Sequence, residues 1–88
     1  MEYESLGQLL RHAYEEFRRR GLREHPTEPA PSQNDFAKWL GVSGYNLSNW
    51  MTGARLPGAA NVDTLADKLG PRVYDAMGLN RKMPRDPK

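Results

Sequence analysis

One short stretch, Ser43 to Arg55, carries a run of amide and hydroxyl side chains with a single charge at its end. Wound as a helix, that stretch puts Gly44, Tyr45, Ser48, Asn49 and Thr52 on one side. Leu47 and Trp50 fall on the other, with Asn46 at the flank. Amides and hydroxyls of this kind donate and accept hydrogen bonds without carrying charge. Arg55 follows in a Gly/Pro turn and is the only cation between Lys38 and Lys68. Gln33 opens the preceding helix, where unpaired N–H groups and the helix dipole favour an anion. The chemistry this set suits is recognition of a surface that mixes negative charge with donors and acceptors. Catalysis is not expected. There is no nucleophile elbow, phosphate-binding glycine loop or carboxylate pair. With no cysteine, and with His12 and His25 lacking partner spacing, neither a metal site nor a cofactor is expected.

These residues need a scaffold, and the periodicity supplies a helical one. Leu6, Leu9, Leu10, Ala13, Tyr14 and Phe17 share one helix face. Ser5 caps it, with Gln8 three residues on. Arg18-Arg19-Arg20 is expected to close this helix and Gly21 to end it, the arginines complementing the dipole or reaching a phosphate. Residues 21–31 hold Pro26, Pro29 and Pro31 and read as a surface loop. Ser32 and Asp35 open a second helix carrying Phe36, Ala37, Trp39 and Leu40, which Gly41 stops. Ser43 caps a third, from about Gly44 to Thr52, with Leu47, Trp50 and Met51 inward and Gly53 as C-cap. Asn61 is expected to cap a fourth (Val62, Leu65, Ala66, Leu69) that Gly70 ends. Pro71 opens a fifth (Val73, Tyr74, Ala76, Met77) that Gly78 ends. The fold class is therefore all-α: one domain over residues 1–79 and a polar tail over 80–88.

Composition agrees. The chain has 88 residues, 38% hydrophobic and 27% charged, enough for one domain with a modest core. No apolar run approaches the ~20 residues of a membrane span. Residues 1–4 lack the pattern of a signal peptide, so a cytoplasmic location is expected. The net charge is only +2, but none of the eleven acids falls between Asp35 and Asp63. A carboxylate-free segment is what a surface lying against phosphates requires.

Two short helices joined by three residues, with a glycine in the joint, form a helix-turn-helix pattern over Gln33–Thr52. Ala37 supplies the small side chain where the helices touch. Gly41 supplies a residue that tolerates positive φ. The runs Ser32-Gln33-Asn34-Asp35-Phe36-Ala37, Leu40-Gly41-Val42-Ser43 and Leu47 to Pro57 resemble the phage repressor/Cro-type (XRE) family. So does Leu65-Ala66-Asp67-Lys68-Leu69-Gly70. The resemblance spans about residues 5–78. It implies a compact five-helix repressor-like domain with the helix-turn-helix at helices 2 and 3, sequence-specific binding of double-stranded DNA, and transcriptional regulation. Three features depart from the family pattern: the long first loop, Gly44 where a base-reading side chain is common, and Met51 where a glutamate is frequent.

By that resemblance the DNA-binding set is Gln33, Ser43, Gly44, Tyr45, Asn46, Ser48, Asn49, Thr52 and Arg55. Asn49 is the foremost base reader, because one amide can donate to and accept from adenine. Trp50 belongs to the core, and Trp39 could be core or a stacking platform. A homodimer is expected through Val73, Tyr74, Met77 and Leu79, although closure of the domain's own core accounts for those residues equally well. No membrane and no small-molecule substrate is expected. The competing reading is a protein-interaction module, antitoxin- or coactivator-like, that keeps the fold without specific DNA binding.

Overall fold

Ser5 accepts a hydrogen bond from the backbone N–H of Gln8 and starts α1 (Leu6–Glu24), a helix of 19 residues. The computed structural model describes residues 5–79, with the side chain of Leu79 outside the described part. After α1 come α2 (Gln33–Leu40), α3 (Gly44–Thr52), α4 (Ala59–Leu69) and α5 (Arg72–Leu79), so the described chain is all-α. The tail over 80–88 lies outside the described residues.

The core is apolar throughout. Leu6, Leu9, Leu10 and Ala13 of α1 meet Phe36, Ala37 and Leu40 of α2, and Leu47, Trp50 and Met51 of α3. Val62 and Leu65 of α4 and Val73 and Ala76 of α5 close it, and no described polar side chain is fully buried. Each wholly buried leucine or valine contributes about 1.5–3 kcal/mol by leaving water. Beside the core, Phe17 packs on Phe36 (5.2 Å between centroids) and on Trp39 (5.5 Å), and Trp39 stacks on Phe36 at 17°. Trp39 is therefore half-buried in an aromatic cluster.

Three element boundaries differ from the sequence reading, each for a physical reason. Gly21 does not end α1, which runs a further turn to Glu24 and caps with His25 N–H on Gly21 O (2.8 Å). A Cβ on Gly21 would lie 2.5 Å from Pro31 Cγ, so the glycine lets the returning loop lie against the helix. Tyr14 Oη donates to Pro31 O at 3.4 Å and fastens the same point. The loop itself thus begins at His25 rather than Gly21. Asn61 does not cap α4; the cap lies three residues earlier at Gly58, which makes no side-chain bond, and the helix begins at Ala59. Two alanines, the best helix formers, extend that helix backward. Gly78 lies inside α5 rather than after it.

Arg72 Nε donates to Leu69 O (3.0 Å), fixing the joint between α4 and α5. Tyr74 Oη donates to Asp63 Oδ1 (2.6 Å) across the same pair. That hydrogen bond first, then desolvation and the carboxylate's charge, hold the Tyr74 phenol above the usual tyrosine range. A raised folded-state value means the link is fully present below about pH 10, the unfolded value, and is lost as pH rises through the folded one. Titrating phenolate absorbance should show the Tyr74 phenol ionising above the ordinary tyrosine range. Asp63→Asn should bring that transition down.

Candidate nucleic-acid interface

Capping fixes α2 and α3 residue by residue. Ser32 Oγ accepts from Asp35 N (3.1 Å) while Asp35 Oδ2 accepts from Ser32 N (2.9 Å), a complete capping box. Gly41 ends α2 in the left-handed region at φ 87°, and its N–H donates to Ala37 O and Lys38 O. A side chain in that conformation would cost about 1–2 kcal/mol. Val42 N–H also returns to Ala37 O (3.0 Å), so the chain turns from α2 to α3 within Gly41-Val42-Ser43. Ser43 Oγ then accepts from Asn46 N (3.0 Å) and starts α3.

The inner side of α3 is set by burial: Leu47, Trp50 and Met51 are in the core. The opposite side carries Tyr45, 70% exposed, with Ser48 and Thr52 also exposed and Asn46 half-buried. Ser43 is exposed; its oxygen is used as the cap, and its proton remains able to donate. Gln33 is half-buried as the first residue of α2. Gly44 is not a vacant reading position. Asn34 Oδ1 occupies the space a Cβ there would need, so the small residue lets the start of α2 sit against the start of α3. Asn34 is an exposed amide beside the candidate surface that the sequence reading left out.

Asn49 is placed differently from a ready base reader. Its Nδ2 is covered by protein and has no hydrogen-bond partner, while its backbone carbonyl accepts from Thr52 Oγ1 (3.2 Å) and Arg55 N–H (3.3 Å). Ala54 N–H reaches Thr52 Oγ1 (3.4 Å) and Gly53 N–H reaches Trp50 O (3.3 Å). These bonds hold the turn after α3 without a carboxylate at position 51. Met51 is instead buried, and its carbonyl accepts from the Arg11 guanidinium of α1. Arg55 is exposed, and its side chain has no ion-pair partner among the described residues. No carboxylate lies on α3 or the turns beside it.

On α5, Val73 is wholly buried and closes the core, so it is not available to a second copy. Tyr74 is half exposed and Met77 packs against the core, while the Leu79 side chain lies outside the described residues. Among the described residues no three His, Asp or Glu side chains gather as a metal-ligand set, and no helix is long and apolar enough to cross a membrane.

Over the described residues the fold and surface define a class, five helices in an all-α arrangement that presents one short amide- and hydroxyl-bearing helix. Comparison with protein-family models, curated proteins and solved structures finds no match.

Proposed function

We propose that this chain binds double-stranded DNA in the major groove through α3 and acts as a transcriptional regulator. The observation that carries the reading is the division of α3. Leu47, Trp50 and Met51 are buried, while Tyr45, Ser48 and Thr52 stand exposed in a segment with no carboxylate from 36 to 62. A helix held this way can enter a groove with its N-terminal half toward base edges. Tyr45 offers ring contact to a thymine methyl or a hydroxyl to phosphate. Ser48 and Thr52 bond bases or phosphates, and Gln33 and Ser43 face phosphate from the starts of their helices. Arg55 contacts the backbone. Selection from a random duplex pool tests the reading, and a palindromic enriched site would also require a dimer. If no duplex is retained even at low salt, the reading fails.

Arg55→Ala isolates the phosphate term. Removing one such contact should weaken all duplexes alike and reduce the slope of log affinity against log salt by about 1. A change confined to one base position would instead make Arg55 a reader. The inward Asn49 amide favours a second reading, an antitoxin- or coactivator-like interaction module that does not read sequence. Such a module would retain no duplex even at low salt.

A further inference from the structure

Away from α3, helices α1, α2, α4 and α5 leave a small open cleft of about 90 Å³. Phe17 and Trp39 form its aromatic wall and Leu69 its aliphatic one, and Arg20, Lys68 and Arg72 surround it. The single carboxylate there, Glu16, lies 3.3 Å from His12 Nε2. Lys68 Nζ stands 5.6 Å from the centre of the Trp39 ring, a cation–π contact that holds this cation over the wall. Three cations against one acid contrast with a whole-chain net charge of +2.

Position and size narrow what could fit. At 100° per residue, Ala13, Glu16, Phe17 and Arg20 lie on the side of α1 away from Gly7 and Arg11, which touch the end of α3. None of the lining residues belongs to the set proposed for DNA. Small-molecule sites usually enclose about 300–1,000 Å³. This cleft is several times smaller, the size for one or two side chains. A glutamate fits both its parts, with methylenes against the Trp39 and Phe17 rings and a carboxylate among the cations.

We propose that this cleft docks an acidic segment of a partner protein, a glutamate side chain seated against Trp39 with its carboxylate between Arg20 and Lys68. The inference does not rest on DNA binding, since no lining residue belongs to α3.

The test is an NMR titration of the full chain with an acetylated, amidated peptide of alternating glutamate and leucine, beside a glutamine-for-glutamate control. The expected result is saturable shifts at the Trp39 indole N–H and the amides of Arg20 and Lys68, with the control at least tenfold weaker. Lys68→Glu and, separately, Arg20→Glu should each weaken binding at least fivefold, with unchanged circular dichroism showing the fold intact. Both side chains project into an open cleft, so the variants are expected to fold. Equal binding of the control, or variants within twofold of the parent, would overturn the proposal. So would shifts confined to Tyr45 and Arg55, the same resonances moving with duplex DNA alone, or their moving on raising the protein's own concentration.

Discussion

Gly7→Val should lower the melting temperature more than any single change on the exposed surface. A Cβ on Gly7 would lie 2.9 Å from Met51 O and 3.2 Å from Trp50 O, and 3.5 Å from the Arg11 guanidinium that holds that same Met51 carbonyl. Two of these contacts are backbone, so no rotamer change relieves them. Crowding a packed core typically costs about 1–3 kcal/mol, and the branched valine falls at the upper end. For a domain of this size about 3 kcal/mol corresponds to a fall of roughly 12–24 °C. Gly7→Ala is a closer contest. Alanine gains up to about 1 kcal/mol of helix propensity while still forcing α1 and α3 apart by a few tenths of an ångström. Its melting temperature should lie between the parent and the valine variant. Thermal melts followed by circular dichroism decide this, and a valine variant melting within two degrees of the parent would mean the helices are not docked through Gly7. The effect reaches function because this contact holds the end of the helix proposed to read DNA.

The second large effect is on recognition. If the inward Asn49 amide turns toward the groove on binding, Asn49→Ala should remove preference at one base position, a loss of about 1–3 kcal/mol or roughly 5–150-fold in discrimination. The covered, unpartnered Nδ2 adds a signature that a simple surface contact would lack. A buried donor without a partner costs about 1–3 kcal/mol. Removing it should therefore leave stability unchanged or raised while specificity falls. Rotation of the amide toward the groove on binding would relieve the same cost in the complex. Repeating the duplex selection beside a melt separates the possibilities. If the selected motif is unchanged and stability falls, Asn49 braces α3 from inside and does not read bases.

What the sequence made legible divides along physical lines. Helices α2 and α3 could be placed nearly to the residue because their ends are set by local chemistry: Ser32 with Asp35, Ser43 with the Asn46 N–H, and glycines at positive φ. The buried faces followed from helical period, and Leu47 and Trp50 are in the core as expected. Where a residue answers to a distant neighbour, local rules misled. Gly21 reads as a stop but serves the approach of Pro31. Gly44 reads as a missing contact but makes room for Asn34. Arg11 has nothing in its neighbourhood to suggest a bond to a carbonyl forty residues later. Lys68 over Trp39 and Tyr74 on Asp63 likewise depend on which helices adjoin. The inward amide of Asn49 is of this kind, since its spacing places it on the outer side and only packing shows the covered nitrogen.

The docking of Pro31 against Gly21 has a practical consequence. It fastens the far end of the first loop to the same helix that the near end leaves, so the exposed residues 25–29 bridge two points already held. Within that bridge the backbone makes one turn bond, Glu28 N–H to His25 O (3.0 Å), and doubling a flexible loop costs only about 0.6 kcal/mol. This is the place in the chain to splice a fluorescent reporter or a whole accessory domain. It is also where lineages of such a protein could drift in length while the helices stay in register.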